Sequence, residues 1–112
     1  RPTYEESLAR IADALLELRF AAERHGVVLS VDCARTGTVT SPVEAAELVD
    51  RVCSPWVGWH VDAAGAADMH DPCDWIETLG GRLRSVSLAD LADESGVRRA
   101  LEAQRFAGLL IA

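Results

Sequence analysis

The sequence has few basic residues and no long apolar run. Eleven Lys and Arg residues stand against 18 Asp and Glu residues, which gives a formal net charge of −7. No window gathers basic side chains into a stripe, so nucleic acid and anionic membrane surfaces are not expected as partners. No apolar run approaches the ~20 residues that a bilayer-spanning helix needs, and no basic-then-apolar signal segment opens the chain. We therefore expect a cytoplasmic protein.

Cysteine is also scarce, and its spacing does not fit a structural metal site. The chain has three cysteines, Cys33, Cys53 and Cys73, and none belongs to a CxxC pair. Zinc sites usually draw on more closely spaced pairs. We interpret all three as reduced, partly buried thiols that act as small apolar side chains.

Several common catalytic motifs are missing. The sequence contains no phosphate-cradling glycine loop, no GxSxG and no HExxH. Its 112 residues, of which 49% are hydrophobic, are enough for one domain, residues 1–112. The chain starts at Arg1 without a methionine and stops at Ala112 inside an apolar run, so we expect a piece of a longer protein.

Periodicity and capping signals predict four helices, each followed by a strand. A capping-box pattern formed by Thr3 and Glu6 opens the first helix, and Gly26 ends it. Pro42 and Pro72 each follow a capping residue, as at the first position of a helix. The predicted helices span residues 3–26, 41 to about 53, 71 to about 80, and 94–106. The predicted strands cover residues 27–32, 57–62 and 83–90, and a fourth begins near residue 108.

This regular alternation predicts an α/β fold with parallel strands. Parallel neighbours need crossover connections about as long as these helices, and such crossovers are right-handed. Both an open doubly wound sheet and half of a (βα)8 barrel satisfy the pattern. Since a complete barrel of ~250 residues would be roughly twice this chain, the ends of the sequence favour the half barrel.

Three predicted strands finish on an aspartate, at Asp32, Asp62 and Asp90. Because parallel strands place their carboxyl ends on one rim, these residues should lie on the face where α/β proteins bind ligands. Side-chain alternation sets His60 on the same face as Asp62, and polar residues occupy that face in three strands. A packed barrel interior is filled with Val, Ile and Leu, so we expect a wet or liganded cavity.

Each candidate also has a structural interpretation. For Asp62 we favour a site role, because His60 lies on the same face and the small residues around Gly65 leave room for a ligand. Asp32 and His60 stay open between a site role and a structural one, whereas Asp90 is interpreted as a turn former.

The remaining candidates are interpreted mainly as structural. His25 ends the first helix, where a partly protonated imidazole suits the helix dipole. Asp71 is interpreted as a helix cap, which leaves His70 as the one possible catalytic residue of the stretch HDPCDW. Three tryptophans are interpreted as packing between helices and strands rather than as a sugar-stacking platform: Trp56, Trp59 and Trp75.

The chain resembles the carboxyl-terminal half of the sugar phosphate isomerase/epimerase family, the xylose isomerase-like TIM barrels related to the endonuclease IV type of fold. Three segments carry the resemblance and cover most of the chain: AAERHGVVLSVD, VGWHVDAAGAADMHDPCDWIETLGGRLRSVSLAD and LEAQRFAGLLIA.

The resemblance implies a divalent metal (Mn, Mg, Zn or Co) at the barrel mouth that assists a proton or hydride shift on a sugar or sugar phosphate. Asp32 and Asp62 fall on two ligand positions of the family, and His60 would be an acid/base or substrate contact. Gly65 and Ser87 stand where the family usually has histidines. In the family a second glutamate completes the metal ligands, and in this chain its position would follow Ala112.

Two functions from different classes therefore remain. The first is a metal-dependent sugar isomerase or epimerase, and the second is a metal-free barrel that serves as a ligand-binding or structural module. A half barrel leaves both sheet edges unpaired and a polar face uncovered. We therefore expect it to associate with the missing half or with a second copy, to aggregate, or to remain loosely packed.

Overall fold

The computed structural model describes residues 3–32, 38–68 and 71–112. Cys33 and His70 lie outside these residues. The sequence predicted a partly buried thiol for Cys33 and a possible catalytic role for His70. The helices are α1 (Tyr4–His25), α2 (Pro42–Val52), α3 (Ala63–Ala67), α4 (Pro72–Leu79) and α5 (Ser95–Ala103). The strands are β1 (Leu29–Val31), β2 (Val57–Asp62), β3 (Leu83–Ser87) and β4 (Leu109–Ile111).

The predicted helix caps are confirmed. Thr3 and the first-turn Glu6 form a reciprocal capping box at the start of α1, and Gly26 ends that helix in the left-handed conformation at φ 63°. The Ser41 hydroxyl accepts a hydrogen bond from the backbone at the start of α2. The Asp71 carboxylate does the same at α4, so its capping role is confirmed.

Three predicted elements differ in length, and one helix was not predicted. β1 and β3 are shorter than expected, and α5 ends three residues early at Ala103. β3 stops because Ala89 and Asp90 form a turn in which Asp90 is left-handed at φ 65°, which agrees with its interpretation as a turn former. The short helix α3 occupies the stretch of small residues around Gly65 that was expected to leave room for a ligand.

The four strands form one parallel sheet in the order β1-β2-β3-β4. The prediction of parallel strands alternating with helices is therefore confirmed. Consecutive strands are neighbours throughout, so the order follows the chain without a reversal. The 3₁₀ turn Gly80–Arg82 leads directly from α4 into β3.

The hydrophobic core lies on one face of the sheet. Trp59, Val61 and Val86 point to this face and are at most 2% exposed. The Trp59 ring stacks on Trp75 of α4 with centroids 6.3 Å apart, so these two tryptophans pack helix against strand as predicted. The molecule measures 37 × 35 × 20 Å, and the shortest extent matches one sheet covered by one layer of helices.

An exposed ion pair joins α2 to the turn before β3. The Arg82 guanidinium donates to both carboxylate oxygens of Asp50, at 2.7 and 2.9 Å. This hydrogen bonding holds the pKa of the Asp50 carboxyl below its usual value.

Among the described residues, no helix has the length and apolarity that a membrane span requires.

Candidate functional site

The polar side chains of the strands share the sheet face that lies opposite the helices. The register pairs His60 with Ser85, and Asp62 with Ser87, on neighbouring strands. Paired residues of parallel strands project to the same side, so these four side chains form two adjacent rows. The alternation expected for β2 and β3 is therefore present in the structure.

His60 and Ser85 are joined directly across the two strands. The Nδ1 atom of His60 lies 2.6 Å from the Ser85 hydroxyl oxygen, which is hydrogen-bond distance. Ser85 is only 6% exposed, whereas His60 is partly exposed. The buried hydroxyl therefore engages one ring nitrogen and limits the orientation of the imidazole.

Asp62 lies one row nearer the carboxyl ends of the strands and also starts α3. One of its carboxylate oxygens accepts a hydrogen bond from the backbone N–H of Gly65 at 3.4 Å. The carboxylate thus caps the first turn of α3 while it stays partly exposed on the polar face. The predicted site role and the observed capping role are compatible at Asp62.

Asp32 directly follows β1 and is exposed. The register of β1 with β2 ends at the pair Val31 and Trp59. Continued by one residue, this register sets Asp32 level with His60 on the polar face. Asp32 and Asp62 thus belong to the carboxyl ends of neighbouring strands, as the sequence predicts. Asp90 lies in the turn beyond β3.

The residues that the structure describes do not fit a complete metal site. No group of three or more His, Cys, Asp or Glu side chains lies close enough together in these residues to hold an ion. Mg²⁺ and Mn²⁺ need about six oxygen or nitrogen ligands, and Asp32 and Asp62 supply two carboxylates. Gly65 lies in the helix that Asp62 caps, and Ser87 pairs with Asp62 across the strands.

Arg84 forms the floor of the polar face, and sequence reasoning missed it. The register shifts between Trp59 and His60, which leaves one extra residue, Arg84, in β3. Its side chain crosses Gly58, since a Cβ placed on Gly58 would lie 2.2 Å from the Arg84 Cγ. One guanidinium nitrogen donates to the Pro55 carbonyl at 3.3 Å. The useful sequence signal was Gly58, because a glycine inside a strand often marks a close approach.

A cavity of about 630 Å³ opens at the amino-terminal end of this face. Arg84, Phe106 and Gly108 line it together with residues near both outer strands, Val28 before β1 and Leu109 of β4. One space is therefore bordered by residues near both outer strands.

The remaining candidates lie away from this face or are structural. His25 is the exposed last residue of α1, as its helix-end interpretation requires. Trp56 is partly exposed in the turn before β2.

The two described cysteines have different environments. The prediction of a partly buried thiol is wrong for Cys53, which is exposed because it caps the end of α2 in the left-handed conformation at φ 54°. Cys73 in the first turn of α4 is partly buried, as predicted. Its burial, together with the nearby Asp71 carboxylate, raises the pKa of the Cys73 thiol.

Comparison with protein families, with curated proteins and with solved structures gave no match to this chain. The candidate site is therefore described by its own geometry. That geometry consists of a polar sheet face, a His–Ser pair within it, and two aspartates at its carboxyl-terminal rim.

Proposed function

We propose that this chain is half of a (βα)8 barrel of the sugar phosphate isomerase/epimerase type and acts on a sugar or sugar phosphate at its carboxyl-terminal rim. The observation that carries the proposal is the polar row built on His60 and Ser85 with Asp62 beside it. We assign the protein to the cytoplasm, where the two described free thiols suit reducing conditions.

Three features of the sheet support the barrel. A doubly wound sheet reverses its strand order at a switch point, whereas these four strands follow the chain order. The helices pack against the sheet on one face, and one cavity is bordered by residues near both outer strands. A (βα)8 barrel has this order and this single outer layer of helices, and its curved sheet would bring residues near distant strands around one space.

His60 is the side chain best suited to move a proton at this site. Histidine accepts and releases protons near neutral pH, and the short contact with the buried Ser85 hydroxyl orients its ring. In the proposed reaction His60 removes the proton from the carbon next to the sugar carbonyl, and the bonding electrons move into an enediolate. Return of the proton to the former carbonyl carbon, with transfer of the adjacent hydroxyl proton to the former carbonyl oxygen, completes an isomerisation. Return of a proton from water to the opposite face of the original carbon completes an epimerisation.

Asp32 and Asp62 would bind the sugar hydroxyls that flank the reacting carbon. Carboxylate oxygens accept hydrogen bonds from hydroxyl groups, and both residues lie at the end of a strand next to the His60 row. Arg84 adds a positive charge at the floor of the face. Since the described residues do not form a complete metal site, no step of this reaction is assigned to a metal.

Solvent deuterium incorporation tests the proton transfer. The protein would be incubated in D₂O with fructose, xylulose and their phosphate esters, with Mg²⁺ or Mn²⁺ present or with a chelator. Proton transfer through His60 places deuterium on the carbon next to the carbonyl, which NMR and mass spectrometry detect. We expect His60→Gln to slow this exchange by about 10²- to 10⁴-fold, the usual contribution of a general acid or base.

His25→Gln is the matched control, because His25 lies at the exposed end of α1 away from the polar face. It should exchange deuterium at the rate of the unaltered protein. Equal rates for the unaltered protein and His60→Gln would remove His60 from the reaction. Conversion of the sugar without deuterium uptake would point to a hydride shift instead.

The second candidate function is a non-catalytic module that binds a sugar on the same face. The missing three-ligand cluster among the described residues favours it, since the enzymes of this family depend on a metal. Calorimetry with the same sugars separates the two functions. Binding that Asp62→Asn weakens, without any turnover, would support the module, and Asp68→Asn at the exposed end of α3 is the control. Asparagine caps a helix as well as aspartate does, so Asp62→Asn removes the charge and keeps the start of α3.

A further inference from the structure

Both outer strands carry an edge that no described strand covers. β1 pairs with β2 and β4 pairs with β3. The Ile111 carbonyl accepts a hydrogen bond from Leu88 at 2.8 Å, so by alternation the N–H and C=O of Leu110 point away from β3. The sequence of β4 is LLI, which has no charge to discourage pairing. Such an edge is a template for another strand.

Exposed apolar side chains continue from this edge onto the sheet face opposite the helices. Leu109 is 64% exposed and Ile111 is 44% exposed, and the register sets them beside Ser85 and Ser87. Near the other outer strand, Val28 is 46% exposed and lines the same cavity as Leu109. Exposed apolar side chains that cluster at a surface usually mark an interaction site. One partner that pairs with the edges would also cover these side chains.

The two outer helices have charges of opposite sign. The helices contact one another in the order α1, α2, α4, α5, so α1 flanks the β1 end of the layer and α5 flanks the β4 end. α1 contains five acidic residues and three arginines, and it leaves Leu18 50% exposed. α5 (Ser95–Ala103) contains two arginines and one glutamate, a net charge of +1 against −2 for α1. The flank beside β1 is therefore electrostatically complementary to the flank beside β4.

From these surfaces we infer that a second copy of this chain closes the sheet. A two-fold axis parallel to the strands places β4 of each copy beside β1 of the other. All strands keep one direction under this rotation, so both new pairs are parallel. The two equal contacts form an isologous dimer with an eight-stranded closed sheet. α1 of each copy then lies next to α5 of the other, and Leu109 and Ile111 are enclosed.

The dimer would place two copies of the His60 row in one lumen. Water would have less access to both rows than in a single copy, where the sheet face opposite the helices is open. This inference does not depend on the proposed sugar chemistry, because it rests on strand edges, apolar exposure and helix charge. The tests below measure mass and contacts and need no substrate.

Sedimentation equilibrium and light scattering of the 112-residue protein give the first test. We expect a particle of twice the 12.1 kDa chain mass, which dissociates on dilution. A sample that mixes isotope-labelled and unlabelled chains gives the second. Isotope-filtered NMR should detect contacts between β4 of one copy and β1 of the other, with Leu110 nearest to Ser30 or its neighbours.

Leu109→Lys tests the interface with little effect on a single copy, because Leu109 is 64% exposed there. Two lysines enclosed in the closed sheet should raise the dimer dissociation constant at least about tenfold, as for a central interface residue. Val43→Lys is the control, because Val43 is 57% exposed on α2 away from both edges, and it should leave the constant within about twofold.

Three results would overturn the inference. A monomer at all concentrations would show that no second copy binds. A dimer whose filtered contacts lie away from β1 and β4 would show a different interface. A monomer that buries Leu109 only when the chain is extended beyond residues 1–112 would make a further segment of the same chain the occupant.

Discussion

Gly58→Ala should destabilise the protein, because the backbone of the next strand lies too close for a side chain. A Cβ at position 58 would lie 2.6 Å from the Arg82 carbonyl oxygen and 2.2 Å from the Arg84 Cγ. Ordinary contact begins at 3.4 Å, so the carbonyl distance is short by about 0.8 Å. The Arg84 side chain can rotate away, whereas the carbonyl belongs to the backbone where β3 begins. β2 and β3 must therefore separate locally.

Overpacking of this kind usually costs about 1 to 3 kcal/mol. For a domain of this length, 1 kcal/mol corresponds to roughly 4 °C in Tm, so we expect a decrease of roughly 4 to 12 °C. Thermal unfolding followed by circular dichroism at one fixed protein concentration measures it. The fixed concentration matters because association would itself raise the Tm.

Gly81→Ala is the matched control, because a Cβ at position 81 meets no atom within 4 Å. Its Tm should stay close to that of the unaltered protein. The double variant Gly58→Ala, Arg84→Ala removes the side-chain contact and keeps the carbonyl contact, so it should recover only part of the loss. If Gly58→Ala melts within about 1 °C of the unaltered protein, the close approach of β3 to Gly58 is refuted.

Three further predictions concern cysteines and an ion pair. Cys53 is exposed and Cys73 is partly buried with a raised pKa, so iodoacetamide at pH 7.5 should modify Cys53 several times faster by peptide mapping. Cys53→Gly should stabilise the protein by about 1 kcal/mol in urea unfolding, because glycine adopts the left-handed conformation at no steric cost. The hydrogen bonds from Arg82 lower the pKa of Asp50 in the folded state. The ion pair therefore stabilises the fold at pH values above the ordinary aspartate pKa, and this stabilisation is lost as the pH falls through the lowered pKa of Asp50. Asp50→Asn should therefore lower the Tm at neutral pH and match the unaltered protein in acid, and equal Tm values at pH 7 would count against the pair.

The elements that the sequence predicted well are those with local signals. Thr3, Gly26 and Asp71 act through hydrogen bonds or backbone conformations only a few residues away, so their roles can be read from the chain. Strand alternation likewise predicted the polar face around His60, because each strand must bury one side.

The features that the sequence did not reveal depend on contacts between distant segments. The pairing of His60 with Ser85 needs the register of two strands that are 25 residues apart in sequence. Helix α3 was missed because Asp62 was interpreted as a site residue, and its second role as a cap starts a helix in a glycine- and alanine-rich stretch. The exposure of Cys53 follows from its left-handed backbone, which the sequence signalled only weakly.

The extra residue in β3 decides how this strand tolerates changes in length. Leu83 pairs with Trp59 and Ser85 pairs with His60, so Arg84 has no register partner in β2. Deletion of Arg84 would give a regular ladder and leave all of these partners unchanged. Deletion of Val86 would instead bring Ser85 against Val61, a buried residue on the helix side, and would exchange the polar and apolar faces at that point. Homologous chains that differ by one residue in this strand should therefore gain or lose it at Arg84.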